Sequence, residues 1–562
     1  MKRRKKLKRL FFVLLILVIA ASLFLCSCGK DTTSTQTTTI PPKTTPAITT
    51  PAVTTAVTTV PIKTAPPTQT TTSQKVPTGT LRAVVPSWIE TMDPNLQTTF
   101  EYALYEHLIG IDEEGSFVPE LCESWSLSDD GMVYTFKLRK GIKFHNGDEF
   151  TSADVKFSLE RLMRTGSMSP WVGQYNATID HIDTPDAYTV HVYDKKVDYM
   201  FYTALWGCPI VPKNYIEEHG DTYFNEHPIG TAPWKFVKLI PGVRIEFEAV
   251  PNHWRITPDF AKLAVSLVPE TSTALAGLRQ GETDIVAVNM DEALEMQSEG
   301  FELQVLGRPI SPVMCMLGTW ATDGPISDVR VREALSLAIN RAEIANTFFN
   351  GLAEPGGVLW TAPSSWGYDP SWVKDRYFAY DPDAAKALLA EAGYPSKFAN
   401  PEIALYSHMS TAWLPDLNLI ISGYWEAIGV KTKVVPIDMG QLRGMMYTDP
   451  YPEELKGTVA IWPMPTMQVS IPFLQSAIHS KGNWRLLQDA NWDALHASIS
   501  QSPDPNEQIR LFRETVEYML GQYIAPGIVN IYSYYAVSHV VGDWQYRFQY
   551  DLWGNFAGMK HK

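Results

Sequence analysis

Residues 119–163, PELCESWSLSDDGMVYTFKLRKGIKFHNGDEFTSADVKFSLERLM, carry a strand, a turn, a second short strand, another turn and a capped helix in unbroken order. Val133, Thr135 and Lys137 alternate with Tyr134, Phe136 and Leu138, the period-two pattern of a half-buried strand. Asp130-Gly131 before it supplies the turn chemistry of a hairpin. The short strand Ile142 to Phe144 runs into His145-Asn146-Gly147-Asp148, where Asn-Gly tolerates the positive φ that a reversal needs. Thr151-Ser152-Ala153-Asp154 is a capping-box pattern, with the Asp154 carboxylate near the positive end of the helix dipole. It predicts a helix whose inner face is Val155, Leu159 and Leu162, with Lys156, Glu160 and Arg161 in water.

Taken whole, the string resembles the signature region of the family 5 solute-binding proteins, the dipeptide- and oligopeptide-binding lipoproteins of ABC importers. The residues that carry the resemblance are Glu123 to Trp125, Ser128 to Gly131, Tyr134 to Gly141, Lys143 to Gly147 and Phe150 to Arg161. The resemblance implies an α/β, two-lobed periplasmic-binding-protein type II fold, with hinge strands between the lobes and an additional small α/β domain built on the quoted module. It places lobe I in residues 80–116, 196–305 and 526–562, the extra domain in 117–195, and lobe II in 306–525.

The flanking sequence agrees with an exported chain. Seven of the 47 basic residues lie in Lys2 to Arg9, which leaves 40 basic against 61 acidic over the remainder, a net −21. A surface that acidic argues against nucleic acid as a partner. Leu10 to Leu25 is an apolar run short for a bilayer span, so residues 1–27 are expected to be a secretory signal. Leu25-Cys26-Ser27-Cys28 resembles a bacterial lipobox, with Cys28 as the lipidated residue after cleavage; an uncleaved anchor helix is the alternative. Either way the folded part is expected outside the cytoplasmic membrane, held at its outer face. Residues 28–79 form a tether dominated by Thr and Pro, and Asp31 to Pro77 contains no aromatic side chain that could seed a core.

Downstream, Leu81 to Val85 is a strand followed by Met92-Asp93-Pro94, Leu104 to Ile109 is expected as a helix, and Asp112-Glu113-Glu114-Gly115 as a turn. Pro228 to Phe236 resembles a family loop in which Ala232 stands for a glycine and Trp234 for a tyrosine. A helix over Ser272 to Gln280 and a strand over Asp284 to Val288 follow; beyond Val305 the family crosses to its other lobe. There Asp328 caps a helix with Val331, Ala334, Leu335, Ala338 and Ile339 inward, and Arg330, Arg332 and Arg341 belong to a family motif. Pro382 to Ala392 is a helix closed by Gly393, Leu417 to Ile428 another closed by Gly429, and Asp504-Pro505-Asn506-Glu507 a second capping box. Ile528 to Val541 is strand-rich and is expected to return to the first lobe.

No nucleophile elbow, zinc-binding helix motif, phosphate loop or dinucleotide fingerprint is present, so the chain is expected to be no enzyme and to need no cofactor. His145 is expected as a structural hydrogen-bonding residue, and His408 and His479 as surface residues. Cys122, Cys208 and Cys315 have no metal-binding spacing and are expected as buried thiols. Binding has better support: 12% of the residues are aromatic and 17 are Trp, and such rings offer contact area at low entropy cost.

Where the family's lobes meet, the candidate ligand-binding residues are Trp88, Trp320, Trp462, Tyr532 and Tyr534. Peptide-binding members carry an acidic residue shortly after the position of Trp462, to pair with the ligand's ammonium, whereas Ile461 to Met467 has no carboxylate. The expected function is a monomeric substrate-binding lipoprotein that captures a peptide-like or oligosaccharide-like solute and delivers it to a membrane permease. The alternatives are an exported lipoprotein hydrolase and a ligand-sensing receptor lobe.

Overall fold

Thr151 does cap a helix, α1 (Ser152–Leu162), through a capping box in which the Asp154 carboxylate accepts from the Thr151 backbone N–H at 2.9 Å and from its hydroxyl at 3.0 Å. The chain here is a computed structural model that describes residues 76–88, 91–96, 100–112, 116–169, 171–363, 365–373, 376–448, 450–467, 469–482, 484–544 and 556–562. Cys28, the signal segment, the tether up to residue 75 and Glu113 to Gly115 lie outside the described residues.

β1 is Thr78–Val85, and the quoted module supplies β2 (Cys122–Leu127) and β3 (Val133–Leu138). With β4 (Ile179–Asp186) and β5 (Thr189–Asp194) they make an antiparallel sheet in the order β2-β3-β5-β4. Its buried face is Tyr134, Phe136, Leu138, Val190 and Val192, packed on Val155, Leu159 and Leu162 of α1. Gly131, at φ 71°, makes the predicted turn. The short strand over Ile142 to Phe144 reduces to a single bridge between Lys143 and Glu149, because Gly147, at φ 96°, reverses the chain too soon for a longer ladder.

β1 and ten further strands build one eleven-stranded sheet. The ten are β6 (Trp234–Ile240), β7 (Arg244–Ala249), β8 (Phe260–Leu267), β9 (Ile285–Val288), β10 (Glu302–Leu317), β11 (Ala353–Pro355), β12 (Ile403–Ser407), β13 (Thr432–Pro436), β14 (Thr458–Pro465) and β15 (Val529–Val537). The order is β13-β12-β14-β10-β15-β9-β1-β8-β7-β6, with β11 added on β15. β1 runs parallel to both neighbours; Leu81, Ala83 and Val85 join one core and Val84 another, as a strand covered on both faces requires.

Two strands cross between the halves. β10 pairs through Glu302 to Leu306 with β15, shifts register between Leu306 and Ile310, and then pairs through Ile310 to Leu317 with β14. β15 pairs with β9 at one end and β11 at the other. A core of Leu81, Phe247, Leu263 and Val537 lies on one side of this crossing, and one of Val313, Leu335, Leu405 and Ile461 on the other.

The predicted Asp328 cap is made: its Oδ1 accepts from the Arg330 N–H at 3.1 Å. Arg332 and Arg341 are buried and bonded only to uncharged partners. Arg332 Nε donates to the Gln522 carbonyl at 2.7 Å and Arg341 Nε to the Gly527 carbonyl at 2.8 Å. Burial holds both guanidinium groups below their usual range, Arg341 at about 9 and Arg332 at about 10. The pair fixes the segment that feeds β15, which accounts for these two arginines of the motif.

Three expectations are corrected. Arg161 is not in water: it is 2% exposed and clasps both oxygens of Asp93, with a further bond of 2.7 Å to Asp221. A guanidinium can leave water when a carboxylate meets it bidentately, and the partner was invisible to helical periodicity. The helix over Leu104 to Ile109 does not form; Glu101–Leu104 is one turn, and Ile109–Ile111 pairs with Phe117–Pro119. Glu106 instead accepts from Trp254 Nε1 at 2.8 Å and Arg255 Nε at 2.9 Å, long-range partners that override the local pattern. Asp504 caps its helix, but Glu507 turns to Arg510 at 2.7 Å instead of closing the second capping box. Cys122, Cys208 and Cys315 are buried and unbridged, as expected.

Candidate functional site

β12 and β14 are parallel neighbours, with Leu405 opposite Val459 and Tyr406 opposite Ala460. Continuing that register brings His408, just past β12, beside Trp462, and their ring centroids are 4.7 Å apart. Trp462 also meets Trp484 at 5.5 Å, and Trp484 meets Trp360 at 5.6 Å. Trp320 lies on the same strip: its Nε1 donates to the Arg485 carbonyl at 2.7 Å and its ring faces Tyr451 at 5.3 Å. The dipeptide Trp484-Arg485 therefore ties Trp320 to Trp462. Trp360 and Arg485 have φ of 56° and 48°, a left-handed backbone that bulky residues seldom adopt and that gathers at ligand clamps.

Tyr532 and Tyr534 lie on β15 at the crossing. The Tyr532 hydroxyl donates to Glu354 Oε2 at 2.8 Å and the Tyr534 hydroxyl to the Leu352 carbonyl at 2.8 Å. Burial first, then the bonded Glu354, pushes the Tyr532 hydroxyl pKa up. Trp88 stands elsewhere, edge-on to Phe100 at 5.8 Å against the core that contains β1. The five aromatic candidates thus divide into a tryptophan pair, a tyrosine pair and one remote ring.

His408 departs from expectation: it is fully buried, at the end of an interior strand. His479 is partly buried, its Nδ1 accepting from the Lys481 N–H at 2.9 Å. His145 does hold structure. Its Nδ1 accepts from the Gly230 N–H at 3.2 Å and its Nε2 donates to the Ala232 carbonyl at 2.9 Å. His253 clasps the same loop from the other side, donating to the Thr231 carbonyl at 2.7 Å. Burial lowers both, His145 to about 4 and His253 to about 3, so each is a neutral imidazole with Nε2 protonated. Ala232, where the family has glycine, is fully buried in this loop, and Trp234 is 1% exposed at the start of β6. Among the described residues no three His, Cys, Asp or Glu side chains are grouped to hold a metal ion.

Trp360, Trp484 and His408 were missed by sequence reasoning. The usable signal was the position of His408 at the carboxyl end of a strand parallel to that of Trp462, where open α/β sheets bind ligands.

These features define a two-lobed α/β fold, its halves joined by a pair of crossing strands, with an aromatic strip along one part of the sheet. Residues 116–478 match the bacterial extracellular solute-binding proteins, family 5 middle region, and the chain belongs to that family. It is similar to heme-binding protein A of Haemophilus influenzae, 28% identical over 354 residues, which are 58% of this chain and 63% of that protein. It is also similar to the glutathione-binding protein GsiB of Pectobacterium atrosepticum, 29% identical over 372 residues, 64% of this chain and 69% of the relative. The chain thus spans just under two thirds of the first relative's length. Among solved structures, CtaP from Listeria monocytogenes, an ABC transporter substrate-binding protein, superposes with a TM-score of 0.73 at 19% identity, over 86% of this chain and 100% of that one. The oligopeptide-binding protein AppA of Bacillus subtilis, in complex with a nonapeptide, gives 0.62 at 22%, over 87% and 100%. At such identities the likeness is one of fold.

Proposed function

We propose that this protein captures a solute between two lobes and hands it to the permease of an ABC importer, without turning it over. Supporting the reading, β10 and β15 both take partners on each side of the crossing, so the halves can rotate about two strands while each keeps its own core. The lobes would follow the divisions read from the sequence: 80–116, 196–305 and 526–562 against 306–525, with 117–195 as the extra domain. A solute closes such a hinge only through its better contacts with the closed state. Trp88, Trp320, Trp462, Tyr532 and Tyr534 are the proposed contacts, with Trp462 central. The absence of a carboxylate from Ile461 to Met467 disfavours a free peptide ammonium, whose burial without a partner would cost several kcal/mol.

A thermal-shift and tryptophan-fluorescence screen across free and N-acetylated peptides, oligosaccharides and nickel complexes tests this. Trp462→Ala is expected to weaken any solute found by about tenfold or more. Free dipeptides that bind tightly and lose affinity on acetylation would show that a carboxylate elsewhere replaces the missing one.

Cys28 is the proposed membrane anchor, resting on the Leu25 to Cys28 pattern after a short apolar run. On fractionation of a bacterial host, Cys28→Ala is expected to lose the lipidated, membrane-held form; a mutant still lipidated would refute the assignment. The same bacterial preparation addresses the hydrolase alternative, because saturable binding without consumption of the solute favours capture.

A further inference from the structure

Buried, uncharged polar atoms without hydrogen-bond partners occur just past the adjacent strands that lead to His408 and carry Trp462. His408 is 0% exposed and neither ring nitrogen makes a hydrogen bond. Burial keeps the imidazole neutral, and a contact with the Ile461 backbone only tempers that effect. Thr466, also 0% exposed, has an unpartnered hydroxyl, and by the period of two it leaves the end of β14 on the face of Trp462. Thr411 Oγ1, three residues after His408, is buried and unpartnered as well. So is Oδ1 of Asn418, whose Nδ2 is spent on Ser407 Oγ at 3.2 Å and on the Leu414 carbonyl at 2.8 Å.

Proteins leave few such groups unsatisfied, because each costs the desolvation of a polar atom with nothing in return. Those of His408 and Thr466 come from just past the carboxyl ends of two adjacent parallel strands, the side of the sheet where ligands of open α/β folds sit, and those of Thr411 and Asn418 from the turn and helix that follow His408. His408 meets the ring of Trp462, which continues through Trp484 to Trp360, and Trp360 and Arg485 have strained backbones. The cation of this strip, Arg485, is already engaged by the Thr448 carbonyl at 2.8 Å and the Tyr451 ring. The groups on offer are neutral donors and acceptors beside flat apolar faces.

We infer that the solute is a neutral oligosaccharide, one sugar ring stacked on Trp462 with hydroxyls bonded to His408 and Thr466. A pyranose matches this set, since its C–H face lies on an indole while its hydroxyls both donate and accept. The inference rests on the solute-capture reading and names the solute's class.

The test is calorimetry on the full chain in detergent, with cellotriose, maltotriose and triacetylchitotriose as probes and trialanine and glutathione as charged comparators. At least one trisaccharide is expected to bind in preference to both peptides. His408→Phe and the isosteric Thr466→Val are each expected to weaken it by about fivefold to tenfold, the equivalent of one lost hydrogen bond. Thr466→Val serves as the decisive variant if His408→Phe does not fold. Failure of all three trisaccharides overturns the inference, as does trisaccharide binding that neither variant changes. If instead native mass spectrometry finds another solute retained, capture stands and only the carbohydrate assignment falls. A protein that retains nothing and binds none of the five probes counts against both.

Discussion

Gly230→Ala is expected to be the most damaging small substitution in the described chain, costing on the order of 3 kcal/mol or more and in practice abolishing cooperative melting. A Cβ at this position would stand 1.8 Å from the Leu104 carbonyl oxygen, 2.8 Å from its carbon and 2.9 Å from the Tyr105 ring. The obstacle is backbone, and it cannot swing aside. Nor can the loop retreat, because His145 holds it at Gly230 and Ala232 while His253 holds it at Thr231. Gly173→Ala is the matched control: it lies in the helix Val172–Thr178 with nothing within 4 Å of its would-be Cβ, and alanine there should be neutral or mildly stabilising. Circular-dichroism melts of the two variants decide it, and a Gly230→Ala protein that melts within about 2 °C of the parent would mean that the close approach has more give than its geometry allows.

Asp93→Ala is expected to cost about 3–5 kcal/mol, the range for stranding one member of a buried ion pair. Arg161 would keep only Asp221, whose side chain is 63% exposed and therefore a weak partner. The instructive comparison is Asp93→Ala with Arg161→Met, which removes the orphaned charge and fills its volume. The double variant is expected to recover most of the loss in a urea titration. Equal stabilities of the single and double variants would show that the loss comes from the turn itself and not from the stranded guanidinium.

These two sites also mark how far the sequence alone could be followed. The signature module was legible because its determinants are local: Asp130-Gly131, the alternation from Val133 and the Thr151 cap act within a few residues of one another. The burial of Arg161 was not legible, since Asp93 lies 68 positions away. The failed helix at Leu104 to Ile109 has the same origin, because Glu106 answers to Trp254, 148 positions on. The aromatic strip was half legible. Trp320 was marked by its place just after a strand and Trp462 by a strand expected to end at Ile461, although β14 runs on to Pro465, whereas Trp484 and Trp360 come from irregular segments whose meeting depends on tertiary packing. His408 escaped because a histidine at the end of a strand looks the same on paper whether it faces water or a tryptophan.

β15 has a further consequence for the order in which the molecule can be made. It lies between β10 and β9, and Val537 pairs with both Glu302 and Ile285, so the ribosome finishes two sets of strands long before the piece that joins them. Without residues 529–537 the sheet falls into separate halves, β13-β12-β14-β10 and β9-β1-β8-β7-β6, each with a bare edge. Closing contacts so distant in sequence is slow, because the entropy of a long loop is spent before any pairing rewards it. A nascent chain therefore cannot complete its eleven-stranded sheet until residues 529–537 are synthesised, and the two halves of that sheet wait unjoined for most of its synthesis.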